Sequence, residues 1–209
     1  MNEKWFHDLT EIKRFVVLFG VFQFFLLTFT AAFFYPGGYD YFNYYFSDLG
    51  AVLARNNQTN IISATLFFLA LTIVSITLVP FWLDSLKFFT HSKAERFLGQ
   101  LGSGMGFLCS PLLIGVALFP LDTQLETHFG LVITHFAFFS FAILLYSIAF
   151  LFRRRYPLTV LGLSILAIGM FLMINPMSPF AAFLQKVVVY SYFIWVGTLT
   201  CSRAIENET

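Results

Sequence analysis

The sequence predicts an all-α polytopic membrane protein: one domain over 1–209, a bundle of six transmembrane helices with both termini cytoplasmic. Three observations carry this. The chain is 58% hydrophobic and 11% charged, against about 25% charged residues in a typical soluble domain. Six segments reach or approach the roughly 20 apolar residues that a span requires. The basic residues are also asymmetric. With the N-terminus inside, Lys4, Lys13, Arg14, Lys87, Lys93, Arg96, Arg153, Arg154, Arg155 and Arg203 fall on the inner side, and Arg55 and Lys186 on the outer side, 10 + 2 of the 12 Lys and Arg. Cytoplasmic loops carry that excess.

The first span is Phe15–Phe34, preceded by Glu3, Lys4, Asp8, Glu11, Lys13 and Arg14. Its length exceeds the roughly 7–15 residues of a signal-peptide core, so it reads as an uncleaved helix. The second is Asn60–Leu83, the third Leu98–Phe119, the fourth His128–Phe152, the fifth and shortest Leu158–Ile174, and the sixth Phe183–Ser202. Odd-numbered helices end on the outer side near Pro36, Pro120 and the Pro176/Pro179 pair, since proline does not continue a helix. The chain is then three helical hairpins. Gly102 and Gly106 form a GxxxG pair, the spacing that lets membrane helices approach closely. Thr123–Glu126 fits a capping box opening the fourth helix.

Two outer loops stand out. The first, an aromatic loop over 35–58, is rich in Tyr and Phe, residues that favour the membrane interface, and is too polar to span. It is expected to fold over the outer mouth of the bundle. Asn57–Thr59 matches a glycosylation sequon, but it abuts the second helix, which argues against its use. The second, an acidic loop over 120–127, carries Asp122 and Glu126. Net charge is +1, which gives no reason to expect nucleic acid. Cys109 and Cys201 lie in apolar stretches without metal spacing and read as buried free thiols. Mid-membrane polar residues are few (Gln23, Ser75, Ser164), which weighs against a transporter with broken helices.

His128 and His135 share one stripe of the fourth helix. Ionisable groups in lipid usually face a bundle interior or a water-filled cavity. They are seven residues apart, roughly 10 Å along the axis, too far to ligate one ion together, whereas helical zinc pairs use i, i+3 or i+4. His135, about two turns deep, needs a partner, because an unpaired polar group in hydrocarbon costs several kcal/mol. The expectation is that His135, Asp122 and Asp48 converge under the loop, with Ser47, Glu126 and His128 nearby. Lys186 is the cation placed to reach these carboxylates. The plainer rival is one hydrogen bond from His135 to a hydroxyl or a backbone carbonyl. A metal, zinc above all, would draw on His135, Asp122 and Asp48. His7 and His91 fall on the inner side and are assigned no role.

Tyr35-Pro36 followed by Tyr45-Phe46-Ser47-Asp48-Leu49-Gly50 resembles the membrane family catalogued as domain of unknown function 998, distantly related to DRAM-type six-helix proteins with an analogous Ser-Asp motif in the first outer loop. The resemblance implies a polytopic membrane protein concerned with lipids and brings no established chemistry. Looser is a likeness to ceramidase-like and adiponectin-receptor-like hydrolases, which set Ser, Asp and His around zinc. This chain departs from them in having six helices and no H-x-x-x-H pair.

The leading functional reading is a plasma- or inner-membrane protein with a polar outer-leaflet site that contacts lipid headgroups. Its ligand-binding residues would be Asp48, Asp122, Glu126, His128, His135 and Lys186. The first alternative is a metal- or His/Asp-dependent lipid hydrolase, with His135, Asp122, Asp48, Ser47 and His128 as catalytic candidates. The second is a helix-packing subunit, as a homo-oligomer or with a membrane partner protein.

Overall fold

A computed structural model of the chain describes residues 3–89, 91–152, 156–174 and 178–208, with side chains over 11–89, 91–152, 158–169 and 178–202. Arg153, Arg154, Arg155 and Pro176 lie outside the described residues, as do the side chains of Lys4, His7, Asp8 and Arg203. The chain is all-helical. Its helices are α1 (Glu3–Phe33), α2 (Ile61–Thr77), α3 (Val79–Phe88), α4 (Lys93–Leu118), α5 (Leu125–Phe152), α6 (Tyr156–Ile174) and α7 (Ala181–Glu208), with a 3₁₀ turn at Phe46–Gly50.

Among the described residues, five helical stretches are long and apolar enough to cross a membrane: Glu11–Phe33, Ile61–Phe88, Lys93–Leu118, Leu125–Phe152 and Ala181–Ser202. The protein is membrane-embedded. α6 is apolar over Leu158–Gly169 but shorter. The surface agrees with the hydropathy. On α1, Phe15, Phe19, Phe22, Leu26, Phe29 and Phe33 form an exposed stripe, with Phe33 83% accessible. A water-soluble monomer rarely exposes an apolar patch of that extent; in hydrocarbon it is a solvated face.

The segment expected as one helix to Leu83 continues to Phe88 and breaks at Leu78. Pro80 is the cause. It has no N–H, so the carbonyl of Ile76 loses its helical donor. The backbone recovers through Leu78 N–H to Val74 O (3.0 Å) and Trp82 N–H to Leu78 O (3.2 Å). α4 starts with Ser92, whose hydroxyl accepts the Glu95 N–H at 3.1 Å, while the Glu95 carboxylate accepts the His91 N–H at 3.1 Å. α5 begins at Leu125, so Gln124, not Thr123, occupies the capping position. The Pro120 carbonyl accepts the Gln124 N–H at 2.9 Å, and that turn delays the helix by one residue.

Neighbouring helices close a circuit α1–α2–α4–α5–α6–α7–α1, with α3 against α4 and α1. The α4–α5 pair packs most extensively. Its closeness comes from glycine. A Cβ on Gly102 would stand 2.7 Å from the Tyr146 ring, and one on Gly106 2.3 Å from the Trp82 ring. The GxxxG face thus receives two aromatic rings from α5 and α3. Those rings join Phe89, Phe139, Phe150 and Trp195 in a fully buried aromatic core. One end of the bundle holds the long α1–α2 loop, the α4–α5 turn and the start of α7. The opposite end holds the Lys13–Asp84 ion pair (2.8 Å) between α1 and α3. Cys109 is buried as expected, but Cys201 is exposed: its position on α7 faces away from the bundle.

Overpacking a close helix contact costs about 1–3 kcal/mol. Gly106→Leu should therefore lower the melting midpoint in detergent by several degrees. Gly104→Leu should leave it nearly unchanged, because a Cβ on Gly104 meets nothing within 4 Å. Equal midpoints for the two variants would mean that Trp82 does not occupy the Gly106 face.

Candidate functional site

The α1–α2 loop is a folded plug. It opens with Gly37 and Gly38 at φ +82° and +87°, a left-handed turn that glycine adopts without strain. Asp40 then accepts the N–H groups of Phe42 and Asn43 and the Asn43 amide, at 2.9, 3.2 and 2.7 Å. Those donors, the Asn43 side chain first, hold its carboxyl below the usual range. The Tyr39 hydroxyl donates to the carbonyls of Tyr44 and Tyr45, and burial pushes its pKa well up.

Beyond that turn, Phe46 drives into the bundle. Its ring lies 5.9 Å from Phe24, 5.4 Å from Phe67 and 5.5 Å from Tyr190, centroid to centroid. Thus α1, α2 and α7 all grip one loop side chain. The descent exposes loop backbone to an apolar surround, and each polar atom there needs a partner. Gln185 Oε1 accepts the Phe46 N–H at 2.9 Å. The Asn60 amide donates to Leu49 O and Ala51 O, and the Ser63 hydroxyl to Leu49 O. The Lys186 ammonium donates to the carbonyls of Tyr44 and Ala182 (2.8 Å to the latter). Its nitrogen also stands 5.4 Å from the Tyr39 ring centre, within cation–π range.

The aspartates hold the plug. Asp48, 6% accessible, accepts the Tyr45 N–H at 2.7 Å and binds Arg55 through both oxygens, at 3.2 and 2.9 Å. The hydrogen bonds that Arg55 donates to Asp48 raise its already high pKa, and the guanidinium also lies 4.8 Å from the Tyr44 ring centre. Asp122, from the α4–α5 turn, accepts the N–H groups of Val52 and Leu53 at 3.0 and 2.9 Å. It therefore ties the second hairpin to the first. The carboxylate partner expected at Lys186 is instead Arg55 for Asp48, while Lys186 turns to carbonyls.

Both histidines face α4. His128 Nδ1 donates to the carbonyl of Phe119 at 2.7 Å, at the end of α4 where helix carbonyls lack helical donors. Among the described residues its Nε2 is buried without a hydrogen-bond partner. His135 Nδ1 donates to the carbonyl of Cys109 at 3.1 Å. The rival reading for His135, a bond to a backbone carbonyl with both aspartates solvated, is met in its hydrogen bond but not at Asp48, which is buried. His135, Asp48 and Asp122 share no hydrogen bond. Glu126 is exposed. Among the described residues, no group of three His, Cys, Asp or Glu is placed to hold a metal ion.

What His135 does share is a cavity under the plug. It is lined by Phe46 and Ser47 of the loop, Phe67 and Leu71 of α2, Leu113 and Val116 of α4, Val132, His135, Phe136 and Phe139 of α5, and Gln185, Val189, Tyr192 and Phe193 of α7. Of the expected site residues, Ser47 and His135 meet there. Asp48, Asp122, Glu126, His128 and Lys186 do not line it. Phe46, Arg55 and Gln185 were missed as site residues. Gln185, a lone amide one turn into an apolar helix beside Lys186, carried the kind of signal that marks buried polar positions; Phe46, one Phe among thirty, carried none.

If Asp122 holds the plug, Asp122→Ala should raise amide exchange at Val52 and Leu53 at least about tenfold, the loss of a hydrogen bond worth roughly 1.5–3 kcal/mol to a charged acceptor. Exchange mass spectrometry on peptides spanning 46–56 checks this; unchanged protection would mean that other acceptors hold those amides.

Compared with known proteins, the chain matches no family model, no curated protein and no solved structure.

Proposed function

We propose that this integral membrane protein binds a membrane lipid, seating one apolar chain in the cavity under the plug and holding the polar head at the loop end. The observation that supports the reading is the cavity's wall. Phe67, Leu71, Leu113, Val116, Phe139 and Val189 make it apolar, and it lies inside the helix circuit. Its volume is about 50 Å³, against the roughly 150 Å³ of a void that holds benzene, so it takes a short length of chain and no headgroup. Hydrocarbon chains are what a bilayer supplies to such a largely apolar wall. The head then meets the plug and the start of α7, where Ser47, Arg55, Gln185 and Lys186 gather.

The same reading takes α6 as a sixth span and places the loop end outside, in the plasma or inner membrane, because Arg55 and Lys186 are the basic residues on that side. In a Cys201→Ser background, Asn43→Cys should react with an impermeant maleimide on intact cells, and Lys93→Cys should react only after permeabilisation. Equal labelling of both from outside would overturn the topology.

Chain binding has its own check. Native mass spectrometry from mild detergent should show one retained lipid on the wild-type protein and little on Leu113→Trp, which fills the cavity. A diazirine-bearing acyl chain should likewise crosslink to peptides spanning 131–139 in the wild type. No retained lipid and no crosslink in the wild type would overturn the reading.

A further inference from the structure

The cations described at the end of the bundle opposite the plug fall into two sets. Lys13 is paired with Asp84 at 2.8 Å and Arg14 with Glu11 at 2.9 Å. Lys87, Lys93 and Arg96 are exposed, and among the described residues none of them has an ion pair. Lys87 lies in the last turn of α3, and Lys93 opens α4. Arg96 follows Lys93 by three residues, which puts the two side by side on the helix surface. Between Ser85 and Arg96 the sequence has one acid, Glu95. It is fully buried, with the His91 N–H as a donor. The surface of this corner therefore presents positive charge alone.

The corner is also held in place. Phe89, between the two helices, is 1% accessible and sits so close to α4 that a Cβ on Gly99 would collide with its ring. The Ser92 hydroxyl accepts the Glu95 N–H and fixes the start of α4. Like charges gathered on a fixed frame repel one another until a counter-charge arrives. The neighbouring side chains say where that counter-charge comes from. Leu86 stands beside Lys87, Phe97 beside Arg96 and Leu101 one turn further along α4, all exposed, with Phe97 65% accessible. On a membrane-embedded chain, cations next to exposed hydrocarbon mark the depth where headgroups begin. A soluble anion would neutralise the cations and leave Phe97 and Leu101 bare. A zwitterionic lipid covers the apolar side chains but brings its own ammonium. An anionic phospholipid answers both.

We propose that the α3–α4 corner is a binding site for an anionic phospholipid, separate from the cavity under the plug. The lipid phosphate sits among Lys87, Lys93 and Arg96, and an acyl chain lies along Phe97 and Leu101. Arg96 offers a planar pair of donors that matches two phosphate oxygens, while the lysines act as point charges. Each cation contributes about fivefold to affinity, and salt weakens that contribution because the site is open to water. The site is independent of what fills the cavity and of which side of the membrane the corner faces.

The test titrates the full chain, delipidated in dodecyl maltoside, with dioleoyl phosphatidylglycerol or dioleoyl phosphatidylcholine and reads lipid binding by native mass spectrometry. The wild type should bind phosphatidylglycerol at least about tenfold more tightly at about 50 mM ammonium acetate, and within about twofold of phosphatidylcholine at about 500 mM. The triple variant Lys87→Gln/Lys93→Gln/Arg96→Gln should lower the preference to about twofold or less and keep its melting midpoint, since exposed substitutions away from packed contacts change stability little. Arg96→Gln alone should lose about fivefold. Arg14→Gln removes a cation already paired with Glu11 and should lose less than about twofold. Arg96→Gln and the salt series decide the outcome if the triple variant does not fold. Equal affinity of the wild type for the two lipids overturns the site. A preference that survives the triple substitution overturns it as well. An equal loss in Arg14→Gln and Arg96→Gln would assign the preference to net charge and not to the corner. Displacement of phosphatidylglycerol by an equal concentration of inorganic phosphate would assign the cations to a soluble anion and overturn the lipid.

Discussion

Hydrocarbon offers no hydrogen bonds, and the placement of many polar side chains in this bundle follows from that. The hydroxyls of Thr28, Ser75, Ser85, Ser103 and Thr200 each donate back to the carbonyl four residues earlier in their own helix. The Gln23 amide reaches Gly20 O on α1 and Ala70 O on α2, so the one amide deep in α1 also joins two helices. The histidines obey the same rule across the α4–α5 contact. Close approach is what makes this workable. Glycines on α4 bring carbonyls and rings within reach, and packing then supplies the attraction that the hydrophobic effect cannot supply between helices in lipid.

The plug extends the rule to a segment that is not helical. Irregular backbone at the mouth of a membrane bundle is tolerated where it is buried in protein. Here Asp48, Asp122, Asn60, Ser63, Gln185 and Lys186 between them take up its amides and carbonyls. The aromatic rings do the rest: Phe46 enters a cage formed by Phe24, Phe67 and Tyr190. The result is a lid held by charge and hydrogen bonds at its edge and by an aromatic ring at its centre. The small cavity lies beneath that ring.

Much of the fold was legible in the sequence. Apolar length marked the spans, the Tyr- and Phe-rich run marked a loop that folds over the mouth, and small-residue spacing marked the tight α4 face. The break at Leu78 was not foreseen, although Pro80 carried its cause. The site was legible only in part. The stripe of His128 and His135 was seen, but a backbone carbonyl as partner has no residue type of its own and leaves no trace in sequence. Asp122 was read as a potential ligand, whereas its acceptors serve two amides 69 and 70 residues away. Arg55 was counted for topology and not as the partner of Asp48. Its place opposite that carboxylate depends on the Asn57 turn at φ 62°, a local conformation that residue identity suggests but does not fix.

The plug's long-range contacts bear on how the chain is made. Its partners lie far downstream: Asp122 pairs with backbone 70 residues earlier, Gln185 with Phe46 139 residues earlier and Lys186 with Tyr44 142 residues earlier. During synthesis the segment 35–60 is made with the first hairpin, long before α5 or α7 exists. It must wait with Asp48 and Arg55 satisfied locally and Phe46 packed on Phe24 and Phe67 but not yet on Tyr190. The last helix to insert therefore completes the first loop. The bundle closes its mouth as a late event of biogenesis, and a chain stalled before α7 would present an open, aromatic-lined entrance to the quality-control machinery.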